Sequence, residues 1–312
     1  MKAIMYHYVR KWNEEYPFFN FLHVDDFRRQ LDYFAETYTI LAPDSIHQSA
    51  HSGIIAEGVV LTFDDGLKDH IEFVLPELQR RGLSAIFYIP TGVYEQKKIL
   101  GVHRLHLLLG KFEATVIYKQ MLELVNENML SHAHIAEFKT LTYVHPSGDE
   151  YSLLVKRMLN YFISYQYREQ VLDELMNIFF GTTEMAVDSL YLTPAEIKQL
   201  HDAGMLIGSH TKTHPVMSKL SPAQQKEEIK SSFDFLETIC GHLPYKTFCY
   251  PYGGFHSFSN ETETLLNDEG CLFSFNVEKR EIHIDDLQNR PQALPRFDCN
   301  DFPFGKIWQQ RA

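Results

Sequence analysis

Short apolar runs alternate with longer segments whose apolar residues recur at helical spacing. Residues 3–6 form the first run, and the segment from Asp25 to Tyr38 carries Phe27, Leu31 and Phe34 on one helical face. Further strands are predicted at Tyr38–Leu41, Val59–Phe63, Ser84–Ile89, Met205–Gly208, Thr247–Tyr250, Cys271–Phe275 and Ala293–Arg296. Because strands alternate with helices, the pattern predicts an α/β fold, an irregular (β/α) barrel of about seven or eight parallel strands.

This alternation stops in the middle of the chain. Two long amphipathic segments, Leu100–Leu130 and Tyr151–Phe180, flank a turn-rich stretch at residues 145–149, and no β-branched apolar run lies between them. Long connections of this kind are usually functional or separately folded. We therefore predict a barrel built from residues 1–92 and 191–312, and a mostly helical insertion or subdomain at residues 93–190.

The charge balance limits the classes of partner. The 312 residues include 41 acidic and 29 basic ones, which gives a formal net charge of -12, and no basic stripe interrupts this balance. A protein that binds nucleic acid usually presents such a stripe to the phosphate backbone. The sequence thus argues against nucleic acid as a partner.

Cysteine usage and the first residues bear on the compartment. The four cysteines show no short paired spacing, which argues against a zinc knuckle or a disulfide framework and favours reduced thiols. The amino terminus lacks the apolar core of a signal peptide, and no segment approaches the roughly 18 apolar residues of a membrane span. If Met1 is the natural first residue, we expect a cytoplasmic protein that does not span a membrane.

Ionisable residues and possible metal ligands follow several predicted strands directly. These strand ends read His7, Asp64-Asp65, Ser209-His210, Tyr250-Pro251-Tyr252 and Arg296. In a (β/α) barrel the carboxyl ends of the strands meet at one edge, where catalytic residues collect. The pattern therefore predicts a catalytic site at this edge.

The motifs at two of these ends are ambiguous when taken singly. Asp64-Asp65-Gly66 has the composition of an ordinary turn. His210 and His214 are spaced so that a helical turn would direct both imidazoles at one divalent ion, although such a pair also arises by chance. Together, two histidines and one carboxylate make the open three-ligand site that catalytic zinc requires.

Three motifs carry a resemblance to a known family. The stretches Thr62–Gly66, Ser209–Pro215 and Phe248–Gly253 resemble the first three motifs of the polysaccharide deacetylases, the NodB-homology enzymes of carbohydrate esterase family 4. Met5–Val9, followed by Asp26–Leu31, resembles the branch that includes the biofilm poly-N-acetylglucosamine deacetylases. The match covers residues 1–93 and 190 to about 300, implies a NodB-type barrel, and leaves the insertion unexplained.

The resemblance implies a role for each matching residue. Asp65, His210 and His214 would bind a divalent metal, expected to be Zn²⁺, and Asp64 would be the general base. The backbone N–H of Tyr252 would help to hold the oxyanion, and Tyr250 and Pro251 would wall the pocket. These roles agree with amide hydrolysis by metal-activated water, in which a free carboxylate removes the proton.

Two positions depart from the family pattern. No convincing Leu-x-His motif for the general acid lies near the carboxyl end; the branch that the first motif resembles places this histidine at the end of the first strand, which His7 fits. The arginine that commonly precedes Pro-Tyr-Gly is absent, and Arg296 resembles a substitute that orients Asp64. Taken alone, His7 could have a structural role and Arg296 could form an ordinary surface salt bridge.

These residues together predict a hydrolase. We expect a metal-dependent enzyme that removes the N-acetyl group from an acetamido sugar, either a glycan or a nucleotide- or lipid-linked precursor for surface glycan. One alternative is a catalytically inactive glycan-binding protein, because two family positions are altered. Another is a deacylase of an O-acetyl ester or a formamide, since ester leaving groups need less help from a general acid.

Overall fold

The structure is a computed structural model that describes residues 1–130 and 150–308. The described residues divide into two compact units. The first unit lies within Met1–Lys11, Phe21–Lys97 and Val187–Ala312, and the second within Trp12–Asn20 and Lys98–Ala186. The predicted turn-rich stretch at residues 145–149 lies outside the described residues.

The first unit is built on a parallel sheet. Its strands are β1 (Lys2–Tyr6), β4 (Val59–Phe63), β5 (Ile86–Ile89), β6 (Leu206–Ser209), β7 (Lys246–Cys249), β8 (Cys271–Phe275) and β9 (Phe297–Asp298), and two further strands, β2 (Val9–Arg10) and β3 (Leu22–His23), pair with each other. Within the described part of the chain, seven strands join in the order β8-β7-β6-β5-β4-β1-β9. Every pair in this sheet is parallel, as the alternating pattern predicted.

One segment near the carboxyl end joins the two edges of the sheet. Leu294 forms a parallel bridge with Phe275 at the end of β8, and Phe297 pairs with Ile4 of β1. Arg296 lies between these two contacts, so closure of the sheet carries its side chain into the barrel. The irregular barrel that the sequence and its family resemblance predicted is therefore confirmed.

Two predicted strands differ from the observed ones. Tyr38–Leu41 is not a strand: only Ile40 forms an isolated bridge, with Val59, because a helix starts just after Pro43. The predicted strand Ala293–Arg296 is displaced, since a 3₁₀ turn occupies Pro291–Ala293 and β9 begins at Phe297.

Helices cover the sheet of the first unit and build most of the second. In chain order they are α1 (Val24–Thr37), α2 (Asp44–Ser52), α3 (Leu75–Arg81), α4 (Gly92–Gln96), α5 (Gly101–Lys111), α6 (Ala114–Leu124), α7 (Glu150–Arg157), α8 (Tyr165–Phe180), α9 (Pro194–Asp202), α10 (Pro222–Cys240), α11 (Asn260–Asp268) and α12 (Ile284–Asn289). A capping box formed by Thr193 and Glu196 begins α9. In the described part of the chain, no helix combines the length and apolar character needed to cross a bilayer.

The helical segment at residues 70–81 has two parts. His70–Val74 forms a π-helical turn, and only then does α3 begin at Leu75. Single π turns inside helices are rare and occur frequently at functional sites. This turn follows the Asp64-Asp65 motif after the four intervening residues Gly66–Asp69.

Alternate residues of the strands pack in two separate layers. Ile4, Leu61 and Phe87 belong to a cluster that also contains residues of α1 and α10, so they face the helices. Val60 and Ile86 belong to a second cluster that fills the barrel interior. Side chains along a strand alternate between its two faces. Counting on in steps of two from Val60, and from Leu206 of the same second cluster, places Asp64 and His210 on the interior side, where Cys249 is itself a member of the cluster.

The second unit has a core of its own. Helices α5, α6, α7 and α8 contribute buried residues including Leu108, Ile117, Val155 and Leu172 to one cluster. The buried Arg104 on α5 bonds to Asp173 on α8 at 2.6 Å. The two long amphipathic segments of the sequence therefore pack as helices in this unit.

Candidate active site

The chain turns sharply between the two adjacent carboxylates at the end of β4. Asp64 keeps the strand's pairing, since its N–H donates to the carbonyl of Tyr6 at 2.9 Å. Asp65 has φ 75° and Gly66 has φ 58°, in the left-handed region that residues other than glycine seldom adopt. Because of this turn, the two carboxylates contact different partners although they are neighbours in sequence.

Asp65 faces the two histidines that follow β6. Its Oδ1 lies 3.5 Å from Nε2 of His210 and 3.4 Å from Nε2 of His214, and all three side chains are buried. Ligand bonds of about 2.0–2.1 Å in a tetrahedral site place neighbouring ligand atoms about 3.3 Å apart. The spacing and the donor set of one carboxylate and two imidazoles therefore fit a divalent metal.

The two histidines lie on a loop rather than on the predicted helical turn. His210 follows β6 directly, and both Thr211 and His214 have positive φ angles of 65° and 58°. A β-branched residue with positive φ is incompatible with a right-handed helix, and Pro215 disfavours the helical conformation at the residue before it. The loop still brings both Nε2 atoms close to Asp65. The two histidines therefore face one carboxylate, as expected, although they lie on a loop and not on a helix.

Glu228 on α10 holds this loop in place. Its carboxylate accepts hydrogen bonds from the backbone N–H groups of Lys212 and Thr213 at 2.9 and 2.7 Å, and from the hydroxyl of Thr213 at 2.6 Å. The N–H of His214 donates to the hydroxyl of Thr211 at 2.9 Å. The strained loop thus has its backbone donors satisfied by fixed groups.

The ring of His210 is oriented by a second contact. Its Nδ1 lies 2.8 Å from the backbone carbonyl of Cys249, which can only accept, so Nδ1 carries the proton and Nε2 is left for a metal. Burial opposes protonation of His210, but the neighbouring Cys249 and Asp65 raise its pKa well above the ordinary value.

Asp64 is held by Arg296 inside the barrel. Nη1 of Arg296 donates to Oδ1 of Asp64 at 2.9 Å and Nη2 donates to Oδ2 at 2.8 Å, and both residues are 1% exposed. Burial alone would raise the pKa of Asp64, but the charge and hydrogen bonds of Arg296 outweigh it and lower that pKa from 3.8 to about 2. Asp64 is therefore an ionised and rigidly oriented carboxylate at any pH near neutrality.

Cys249 completes the surroundings of Asp64. Its thiol donates to Oδ2 of Asp64 at 3.4 Å, and Nη2 of Arg296 lies 2.9 Å from the sulfur. Asp64, His210 and Cys249 also lie close enough together to form a second possible metal triad. The guanidinium of Arg296 already supplies a positive charge there, so electrostatics favour a cation at Asp65 and not at this triad.

His7 lies at the open side of both carboxylates. Its Nε2 is 4.0 Å from Oδ2 of Asp64 and 4.0 Å from Oδ2 of Asp65, and its side chain is 40% exposed. An imidazole in this position can reach the space in front of the carboxylates and exchange protons with solvent. The carbonyl of His7 is contacted by the buried His70, at 3.1 Å from Nε2.

The three residues expected to shape the pocket occupy different environments. Tyr252 has φ 66°, and its ring packs edge-on against His214 with centroids 5.1 Å apart. Pro251, which lies between Tyr250 and Tyr252 in the sequence, is buried. Tyr250 lies in the core, where its ring stacks on Phe258 at 3.9 Å and its hydroxyl donates to the carbonyl of Gln292 at 2.7 Å. The side chain of Tyr250 therefore packs against protein and does not form an open wall.

Sequence reasoning missed three residues of this site. These are Cys249, which lies next to the position where an arginine is commonly found, and Glu228 and His70, which lie outside the recognised motifs. Alternation along the strand could have indicated Cys249, because the side chains of Thr247 and Cys249 point to the face opposite that of Phe248. No sequence signal identifies Glu228 or His70, since both act on backbone groups that are distant along the chain.

Comparison with known proteins bears on the family. Residues 171–271 match the family model described as polysaccharide deacetylase, a region that contains His210, His214 and Tyr252. A comparison with curated proteins gave no match.

Solved structures share the fold over nearly the whole chain. The Streptococcus pyogenes deacetylase PplD, solved in complex with acetate, superposes with a TM-score of 0.58 at 17% identity, covering 96% of this chain and 91% of that one. IcaB from Ammonifex degensii gives 0.53 at 16% identity, covering 95% and 89%. The BpsB deacetylase domain from Bordetella bronchiseptica gives 0.52 at 11% identity, covering 95% and 94%. In fold, and in sequence over residues 171–271, the chain resembles the polysaccharide deacetylases, which confirms the resemblance that its motifs indicated.

Proposed function

We propose that this protein is a metal-dependent N-deacetylase that hydrolyses the acetamido group of a sugar and releases acetate and a free amine. The observation that carries the proposal is that Asp64 and Asp65, although adjacent in sequence, contact different partners. One carboxylate is paired with Arg296, and the other faces two imidazoles at 3.4 and 3.5 Å. Hydrolysis of an amide by activated water needs both a proton acceptor and a metal-binding group.

Asp65, His210 and His214 are the residues that would hold the metal, with Zn²⁺ the expected ion. The metal would supply Lewis acidity, which lowers the pKa of water and polarises the amide carbonyl. The chain's own residues would do the remaining work. His210 can present Nε2 because the carbonyl of Cys249 fixes its other nitrogen.

Asp64 would take the proton from the attacking water. Its pKa of about 2 makes it a weak base but keeps it ionised and correctly aimed. His7 would give a proton to the nitrogen of the leaving amine, since its Nε2 lies 4.0 Å from both carboxylates and its ring reaches solvent. The proton that Asp64 gains and the proton that His7 loses balance, so the pair returns to its starting state by exchange with water.

Tyr252 is our candidate for the oxyanion contact, through its backbone N–H. The left-handed backbone at Tyr252 and its ring contact with His214 support a position beside the metal ligands. Pro251 would flank the same space. Arg296 would act as the orienting arginine that this chain lacks before Pro-Tyr-Gly, and its two hydrogen bonds to Asp64 favour an active enzyme over an inactive glycan-binding protein.

The substrate that we propose is an acetamido sugar, whether in a glycan or attached to a nucleotide or lipid carrier. The test incubates the zinc-loaded protein with N-acetylglucosamine oligomers, a nucleotide-linked N-acetyl sugar and a lipid-linked one. We expect acetate release and loss of one acetyl group by mass spectrometry on at least one of them, and no release by Asp64→Asn. The proposal would be contradicted if none of these sugars lost an acetyl group in the presence of bound zinc. It would also be contradicted if Asp64→Asn released acetate as fast as the wild type.

A further inference from the structure

The segment that carries His7 is held by the chain that follows the Asp64-Asp65 motif. The carbonyl of Tyr6 accepts from the N–H of Asp64 at 2.9 Å, and the carbonyl of His7 lies 3.1 Å from Nε2 of His70. One residue before His70, the carboxylate of Asp69 accepts from Nε of Arg10 at 2.7 Å. Residues on both sides of His7 are therefore fixed to the strand end and to the turn behind it.

His70 is suited to this contact by its surroundings. Its ring is fully buried and meets the rings of Phe63 and Phe87 edge-on, with centroids 5.6 and 5.5 Å apart. Burial lowers the pKa of His70 to about 4, so the ring is neutral at ordinary pH. A neutral imidazole carries one proton, and a carbonyl can only accept, so Nε2 of His70 is the donor to His7.

His70 lies at the start of a π-helical turn. His70 is the first residue of the π-helical turn His70–Val74, which separates the loop after Asp65 from the regular helix α3. A π turn changes the direction of side chains relative to an α-helix and is frequent at functional sites. This turn connects the metal-binding side of the site to the segment that carries His7.

The aim of the His7 side chain depends in part on its backbone, because the ring is only partly buried. The ring is 40% exposed and lies 4.0 Å from each carboxylate. An exposed ring is aimed chiefly by the backbone that carries it. Displacement of a catalytic group by about 1 Å can lower a rate by about 100-fold.

We propose that His70 is a positioning residue that fixes the backbone of His7 and thereby aims its imidazole at the reacting group. The inference rests on the proposed function, in which His7 is the general acid. It assigns to His70 a role in the reaction that goes beyond packing in the core. Asp69, through Arg10, supports the same segment from its other side.

The test compares two substitutions of similar size. His70→Phe keeps an aromatic ring between Phe63 and Phe87 but cannot donate, whereas His70→Gln restores an N–H donor near the position of Nε2. We expect His70→Phe to lower kcat for an acetamido sugar by about tenfold or more with KM changed less than about twofold, and His70→Gln to recover most of the loss. Hydrolysis of 4-nitrophenyl acetate, whose leaving group needs no general acid, should change less than about twofold in both variants.

A matched control is His201→Phe. His201 lies at the end of α9, just before β6, and hence at the amino-terminal edge of the sheet, opposite the site. Its substitution should leave both activities unchanged. Zinc content and Tm are measured for every variant, so that a general loss of structure is recognised.

Several outcomes would overturn the inference. Amide turnover of His70→Phe equal to wild type, or equal losses on amide and ester, would show that His70 does not act through His7. A further readout does not depend on turnover: the ring signal of His7 in an NMR spectrum should shift or broaden in His70→Phe and return in His70→Gln. If the wild type released no acetate, the proposed function would fail, and an unchanged His7 signal would separately refute the positioning role.

Discussion

Arg296 and Asp64, 232 residues apart in the chain, face each other inside the barrel through two parallel hydrogen bonds of 2.9 and 2.8 Å. The guanidinium also contacts the hydroxyl of Thr62 at 3.0 Å and the sulfur of Cys249 at 2.9 Å. Arg296 reaches this place because its segment joins β8 to β1 and so closes the sheet. Under the proposed function, its side chain would take the place of the arginine that polysaccharide deacetylases commonly carry just before Pro-Tyr-Gly.

Substitution of Arg296 by Met should destabilise the protein and change its pH dependence. A buried carboxylate that loses its partner costs about 3–5 kcal/mol at neutral pH. In the wild type, the lowered pKa of Asp64 means that its ionised form contributes stability above about pH 4, and this contribution is lost as the pH falls towards about 2. In Arg296→Met, burial would instead raise the pKa of Asp64, so the deficit in the free energy of unfolding should shrink on acidification.

Denaturant unfolding at several pH values measures this effect. The control is Arg290→Met, since Arg290 pairs with Glu263 on the surface and such pairs contribute less than about 1 kcal/mol. A deficit in Arg296→Met that does not vary with pH would argue against an unpaired ionised Asp64. The same variant should also show a new acidic limb in kcat/KM, as protonation of Asp64 removes the base.

Moving the arginine to the family's usual strand should restore part of the activity. The sulfur of Cys249 lies 3.4 Å from Oδ2 of Asp64, so a longer side chain from this position can reach the same carboxylate. Arg296→Ala alone leaves Asp64 unpaired, and Cys249→Arg alone places two guanidinium groups in one buried space. We expect both single variants to lose activity and the double variant to recover at least tenfold relative to either. Strict additivity of the two losses in acetate release would contradict this prediction.

Removal of a metal ligand should abolish turnover while leaving the barrel folded. Asp65→Asn, or His214→Ala, removes one of three ligands and should lower zinc affinity by at least 100-fold. Chelation of the wild type should lower Tm, and added zinc should restore both Tm and acetate release.

Because zinc must displace the proton from His210, we expect proton release on binding and weaker binding at lower pH, measured by calorimetry in two buffers.

Glu228 offers a test of the loop that carries the two histidines. Glu228→Gln keeps the size of the side chain but weakens three hydrogen bonds to Lys212 and Thr213. We expect zinc affinity to fall by about 10- to 100-fold, which is typical when a residue that orients metal ligands is substituted. The neighbouring Glu227→Gln, on the exposed side of the same helix, is the matched control and should bind zinc as the wild type does.

His7→Ala should distinguish amide from ester hydrolysis. A general acid typically contributes about 10²- to 10⁴-fold to a rate, and an amine leaving group needs it far more than a phenolate. We expect kcat for the acetamido sugar to fall within this range and hydrolysis of 4-nitrophenyl acetate to fall much less. Equal losses on both substrates would remove His7 from the role of acid and would favour another deacylase reaction.

The amino-acid pattern alone determined much of the scaffold. Alternating apolar runs and amphipathic segments determined the parallel barrel and the helical unit, because burial of strands and helices leaves different periods in the sequence. The pattern failed at Tyr38–Leu41 and at Ala293–Arg296, where short extended segments are set by their neighbours rather than by their own composition. The residue pattern also does not distinguish the π turn at His70–Val74 from ordinary helix, because both place apolar residues at similar spacing.

The candidate site divides in a similar way. Adjacent carboxylates and spaced histidines at strand ends could be recognised from the sequence, because metal and acid-base chemistry require those residue types. The residue pattern alone does not say which carboxylate faces which partner; the family resemblance implied it, and the tertiary structure shows the physical cause, which is the left-handed turn at Asp65. The pairing of Asp64 with Arg296, which only the family resemblance had implied, depends on closure of the sheet, and the contact of His70 with His7 depends on the pairing of β1 with β4. These contacts join residues 232 and 63 positions apart, so no local pattern of apolar and polar residues determines them.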